Sequence, residues 1–260
     1  MFLERIIEWN KVIGLALTHV LILYASSYLY GIPSINYTDK LTINNIYGFT
    51  TITGFLALVF IPSFWQLFDR SNPKIILNLE LNLIDSLTSV FFMGLMLPKI
   101  INERIEYDMS IQNIILDIFF FLFVGDLIFY WAHRMFHLNN FTWKWHQEHH
   151  IANLANNVSA IAAASTSAID LALTHMPMFW APFVFKKIAF ESVCISLIFM
   201  IFWLPYIHST NIKLPTSSYF MDPSNHHVHH RKGRKNGNYG GYFLFWDKLC
   251  GTYIHPNSLN

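Results

Sequence analysis

Four stretches of the chain are predominantly apolar over the length a membrane helix needs. They run from about Ile13 to Leu29, Tyr47 to Phe68, Leu79 to Leu97 and Ile114 to Trp131. Each approaches the roughly 20 residues that cross a bilayer core. Pro62 predicts a kink in the second, and Asp85 interrupts the third. Beyond residue 150 the pattern weakens. Ala160 to Phe185 is apolar but broken by Asp170, His175, Pro177 and Pro182, and Ser192 to Tyr206 is short for a span. These two predict a hairpin that enters the membrane without fully crossing it. The tail after Lys213 is polar and basic, with Arg231, Lys232, Arg234 and Lys235 close together. The expected fold is therefore all-α, a polytopic membrane bundle of about four spans plus a re-entrant hairpin. A cytosolic, histidine-rich cap completes it. Neither a linker nor a repeat divides the chain, so one domain over 1–260 is expected. Its membrane helices cover about 13–131 and 160–206, and its cap about 132–157 and 208–255.

Composition agrees with the pattern. Hydrophobic residues make up 53% of the chain and charged residues only 13%, against about 25% charged in soluble domains. A net charge of +1 leaves no footprint for nucleic acid. Glu4 and Glu8 spoil the cationic start of a secretory signal, so the first apolar run is expected to be retained. Cys194 and Cys250 cannot make a disulfide framework and lack zinc-type spacing; both are expected to pack. Four spans put Arg5, Lys11, Arg70, Lys74, Arg134, Lys144 and the basic tail on one side. Lys40, Lys99 and Arg104 fall on the other. That bias predicts a cytoplasmic location for the segment after Trp131. Lys186 and Lys187 fit a re-entrant hairpin better than a crossing one.

Histidine is placed unevenly. Three clusters stand out: His133 and His137; His146, His149 and His150; and His226, His229 and His230. Residues three and four apart share one helix face, so each cluster can present its imidazoles together. His208, just after the last apolar run, is a ninth candidate. Neutral imidazole suits iron, zinc, copper and nickel. One structural zinc takes four ligands, so eight or nine donors suit two metals of higher coordination number. The donor set by itself does not choose iron over manganese or zinc. Arg134, Gln147 and His227 stand where a zinc protease needs glutamate, which excludes that class.

Asp126, Tyr130, His133 and His137 form one stripe on one helix. Asp126 can fix a ligand imidazole by taking its far N–H, or it can be a polar contact between helices. Tyr130 reads equally as part of the site or as an interfacial aromatic. Asn157 reads as a ligand-orienting group or as a helix cap. His19 and His175 are lone histidines expected to make polar contacts, and His255 is expected at the surface.

The segments HRMFH, HQEHH and NHHVHH, followed by NYGGYFLFWDKLCGTY, resemble the fatty acid hydroxylase and sterol desaturase superfamily. The likeness covers about Asp126 to Tyr253, and the tail is most similar to the alkylglycerol monooxygenase-like branch. The resemblance implies a non-haem di-iron centre held by His133, His137, His146, His149, His150, His226, His229 and His230. His208 matches a further histidine between the second and third boxes, whereas His227 falls between ligand positions. It also implies O2 as co-substrate and a lipid substrate: a fatty acyl chain, an alkylglycerol or a sterol. Two electrons are implied from NAD(P)H through a separate electron-transfer protein, or from a reduced pterin. Hydroxylation and desaturation share these boxes. In the terminal motif, Asn238, Tyr239, Asp247 and Thr252 are expected to support the third box, with Asp247 pairing a ligand histidine; Trp246 and Tyr253 are expected to pack. Two rivals differ in class. A metal transporter needs ligands at the membrane midplane, and the spans offer few, such as His19, Asp85, Asp117 and Asp126. An inactive metal-stabilised scaffold is the other.

Overall fold

The computed structural model describes residues 104–106, 110–152, 166–209, 218–231 and 237–259, with single positions at 160, 163 and 234. The first three expected spans and Asn157 lie outside these residues, as does His19.

The longest element is α1, Ile111–Leu138. Ser110 opens it, its hydroxyl accepting the Asn113 N–H at 3.3 Å. The helix runs about two turns past Trp131, where the apolar run ends, and so carries Asp126, Tyr130, His133 and His137 on one element as expected. It stops where Asn139 turns extended and its side chain takes the Phe141 N–H. There α2, Asn140–Ala152, begins. The next segment starts with α3, Ala168–Asp170, passes through a π-helical turn, Leu171–His175, and continues as α4, Met176–Phe185. After a short turn, α5 covers Phe190–Ile207. Then come α6, Pro223–Arg231, and the five-residue α7, Phe245–Leu249.

Among the described residues, α1 and α5 are long and apolar enough to cross a membrane. The described residues are mostly helical, as expected, with a little extended pairing besides. Two-residue strands, β1 at Ile105–Glu106 and β2 at Ile188–Ala189, pair in parallel.

The core lies where α4, α5 and the chain after α6 pack on α1. Phe121 meets Phe179 and Phe183 edge to face. Gly125 lets α4 approach: a Cβ there would lie 2.7 Å from the Met178 carbonyl oxygen. The turn between α4 and α5 reaches Asp117. This buried carboxylate takes the Ala189 N–H at 2.8 Å and the Lys186 ammonium. Ser192 also donates to the Ile114 carbonyl. Asp117 lies sixteen residues before His133 on α1, roughly 24 Å at 1.5 Å per residue. The hairpin of α3–α5 therefore runs along most of α1, and Lys186 is accommodated there by its carboxylate partner.

Candidate metal centre

All nine histidines expected as ligands converge where α1, α2, α5 and α6 meet. They form two groups. His133, His137, His146, His150 and His229 make one; His149, His208, His226 and His230 make the other. Within each, the donor nitrogens lie within 4.8 Å of one another and every residue is buried.

The grouping differs from the sequence expectation that each box points together. On α1, His133 and His137 are four apart and share the first group. On α2, His146 and His150 are four apart and join it, while His149 turns to the second. On α6, His226 and His230 are four apart and enter the second group, while His229 turns to the first. Adjacent residues on a helix diverge by about 100°, so each His-His doublet feeds both groups. The groups lie side by side, with the rings of His150 and His230 centred 4.6 Å apart.

Five of the rings have their tautomer fixed. His133 Nδ1 lies 2.8 Å from the Tyr239 carbonyl, His137 Nδ1 2.8 Å from that of Arg234, and His229 Nδ1 2.9 Å from that of Gly237. His208 Nδ1 lies 2.8 Å from the Leu204 carbonyl, and His146 Nδ1 2.7 Å from the Asp170 carboxylate. These oxygens only accept, so each Nδ1 carries the proton. In a neutral imidazole the Nε2 then presents a lone pair.

That leaves an arrangement that calls for a cation. His133 Nε2 and His146 Nε2, both without a proton, face each other at 2.9 Å. His137 and His150 approach through Nε2 at 3.2 Å, His208 and His149 at 3.3 Å, and His226 approaches His208 at 3.0 Å and His230 at 3.1 Å. Two donors at right angles on one metal, each about 2.1 Å away, sit about 3.0 Å apart. The spacing therefore fits a metal in each group. The five nitrogens of the first group exceed the four that a structural zinc uses and the four of the second equal them; both sets suit six-coordinate ions with positions left open. Burial, reinforced by neighbouring imidazoles, holds His150, His226, His229 and His230 well below the usual histidine range, in the neutral form that ligation needs.

The second-layer assignments change. Asp126 reaches no imidazole. It lies seven residues before His133, about 10 Å down the helix axis. Its carboxylate accepts the backbone N–H groups of Gly241, Tyr242 and Phe243 at 2.8, 2.8 and 3.0 Å. Asp247 does not pair with a ligand histidine either. It accepts the Tyr239 and Gly240 N–H groups and the Thr252 hydroxyl. Its influence on His133 is one peptide removed, since the Tyr239 carbonyl holds that ring. Tyr130 is fully buried, and its hydroxyl joins Arg134 to Thr252. Asn238 adopts a positive φ of 58° and ties the third box to the tail through Asn225 O, Ile254 O and Ile254 N. His175 meets Thr174 and the Phe129 ring, and His255 is exposed.

Three contributors escaped the sequence reading. Asp170, treated there as an interruption, orients His146 while collecting the Thr166 and Thr174 hydroxyls. A carboxylate in an apolar run was the available signal. Arg234 holds His137 through its carbonyl, while its guanidinium takes the His137 and Leu138 carbonyls at the end of α1. Gly237 supplies the His229 acceptor from a place with no room for a side chain, since a Cβ there would fall 2.0 Å from the Thr252 carbonyl oxygen.

Comparison with known proteins bears on this centre. Residues 118–252 match the model of the family described as Fatty acid hydroxylase. The human lathosterol oxidase is 28% identical over 162 residues, covering 62% of this chain and 52% of that protein. The rat lathosterol oxidase is 30% identical, over 56% of this chain and 48% of that protein. The human alkylglycerol monooxygenase is 30% identical, over 52% of this chain and 30% of that protein. The chain thus spans about half the length, or less, of these relatives. No solved structure matches it.

Proposed function

The chain belongs to the fatty acid hydroxylase family, and from that premise we propose that it is a membrane di-iron oxygenase hydroxylating a C–H bond of a lipid. The observation that carries this reading is the pair of buried groups of five and four imidazoles, in which fixed tautomers turn Nε2 lone pairs toward one another. His133, His137, His146, His150 and His229 would hold one iron, and His149, His208, His226 and His230 the other. When bound, the two ions supply the activation of dioxygen. The overall change is R–H + O2 + 2 e⁻ + 2 H⁺ → R–OH + H2O.

The chain's own residues prepare that chemistry. Five hydrogen bonds at Nδ1 hold donor nitrogens ready, so little reorganisation accompanies metal binding. Burial of every imidazole keeps bulk water out of the donor set. Asp247 fixes the peptide whose carbonyl orients His133. An acyl, alkylglycerol or sterol substrate would enter from the bilayer beside α1. Electrons would come from a separate donor, either a protein relaying NAD(P)H equivalents or a reduced pterin. The charge distribution in the sequence supports a cytoplasmic position for the centre.

The test is lipid mass spectrometry of cells expressing the intact chain or its His149→Ala variant. A lipid that gains one oxygen only with the intact chain supports hydroxylation. A lipid that loses two hydrogens instead supports a second reading, desaturation at the same centre, beside which stands the likeness to a protein named an oxidase. Metal movement into vesicles with unchanged lipids would favour transport instead.

A further inference from the structure

The polar tail of the sequence does not all belong with the water-facing cap. Along α1, the side chains of Ile115, Phe119 and Phe123 form an exposed apolar stripe, which resumes at Trp131 and Met135. Between those levels α7 lies on α1. Trp246 packs against Phe123 at 4.6 Å between ring centres and Phe245 at 5.6 Å, while Leu127 and Cys250 both pack against the cluster of Tyr130, Tyr239 and Trp246. In place of the covered stripe, α7 exposes Phe245 and Leu249, the latter 66% accessible. The apolar surface of α1 is thus continued by the short helix, ten residues before His133, roughly 15 Å along the helix from the metal groups.

The backbone around α7 points the same way. Irregular chain survives in hydrocarbon only where its polar groups are satisfied inside the protein. Six consecutive N–H groups leading into α7 have internal acceptors. Tyr239 and Gly240 use Asp247; Gly241, Tyr242 and Phe243 use Asp126; Leu244 uses the Tyr219 carbonyl. Two carboxylates are thereby occupied in satisfying main chain that water would otherwise solvate. The one cation of α7, Lys248, folds back onto the Ser218 carbonyl and over the rings of Tyr219 and Tyr253. Cationic and aromatic groups gathered in this way mark the edge of a bilayer.

We propose that residues 239–249 form a membrane-inserted segment, with Phe245 and Leu249 in contact with lipid acyl chains beside α1. This rests on the reading of α1 as a membrane span. It gives Asp126 and Asp247 a shared role: they let a non-helical strand enter the bilayer next to the metal centre.

The test uses the full chain with Cys194 and Cys250 replaced by serine, reconstituted into phosphatidylcholine vesicles. A nitroxide is attached in turn at Leu249→Cys, Phe245→Cys, Phe119→Cys on α1, and His255→Cys. Collision of each label with oxygen and with a water-soluble nickel chelate is then measured by power-saturation spectroscopy. The expected result is an oxygen-to-nickel ratio at Leu249 and Phe245 several-fold above that at His255 and similar to that at Phe119. A nickel-accessible label at Leu249 and Phe245 with a lipid-facing one at Phe119 overturns the proposal. So does shielding of both tail labels from both reagents, which would mean that protein covers them. If the Phe119 label itself is nickel-accessible, the membrane reading of α1 fails first.

Discussion

Replacing Asp170 with asparagine should weaken one metal site and spare the other. The Asp170 carboxylate takes the His146 Nδ1–H at 2.7 Å, with both side chains buried, and it also receives the Thr166 and Thr174 hydroxyls. Asparagine keeps the shape and one acceptor oxygen but removes the charge. It also sets an NH2 group against either the imidazole N–H or a threonine hydroxyl. Loss of a hydrogen-bond partner behind a metal-bound histidine typically costs 10–100-fold in metal affinity, about 1.4–2.7 kcal/mol. His146 belongs to the five-histidine group, whereas the four-histidine group keeps its own support through His208 and Leu204. Purified protein is equilibrated with graded chelator, and metal per chain is measured by elemental analysis. The unaltered protein should hold both ions over a common range. The Asp170→Asn variant should release one ion at about 10–100-fold lower chelator strength and the second where the unaltered protein does. A release curve that matches the unaltered protein throughout would mean that His146 does not depend on Asp170.

Further consequences follow from the same contacts. Asp126→Asn turns an amide NH2 toward at least one main-chain N–H of Gly241 to Phe243, so the melting temperature should fall by the equivalent of about 1–3 kcal/mol; unchanged melting would contradict the role given to that carboxylate. Gly237→Ala puts a Cβ 2.0 Å from the Thr252 carbonyl oxygen and displaces the acceptor of His229; bound metal should drop sharply while helix content by circular dichroism stays near normal. Acidification should destabilise the metal-free protein. The folded state holds His150, His226, His229 and His230 below their ordinary value of 6.5. Their stabilisation is therefore complete above that pH and is lost as pH falls, at about 1.4 kcal/mol per pH unit for each imidazole still neutral in the fold. Thermal melts at stepped pH should show this fall, and a flat profile from 7.5 to 5.5 would contradict it.

Much of the site was legible because helical spacing and imidazole chemistry act locally. His133 and His137 share a face of α1 for the reason their spacing implies. The sharing of each doublet between two groups was not legible. It depends on how α2 and α6 are rotated against α1, which packing sets. Asp126 and Asp247 show a second limit. The sequence offers Asp126 either an imidazole or a contact between helices and offers Asp247 an imidazole, while packing hands them backbone N–H groups more than a hundred residues away and seven to eight residues away respectively. Arg234 carried no signal at all within a basic run, since its role needs the end of α1 beside it. Among the described residues, the all-helical expectation missed the β1–β2 pair, two residues per strand and too short to leave a pattern.

Whether the nine imidazoles together hold two iron ions in one chain can be read from metal content. Elemental analysis of the full-length protein, purified from cells supplied with both iron and zinc, tests it most directly. Two irons per chain and negligible zinc are expected. One zinc per chain, with all nine histidines intact, would contradict this.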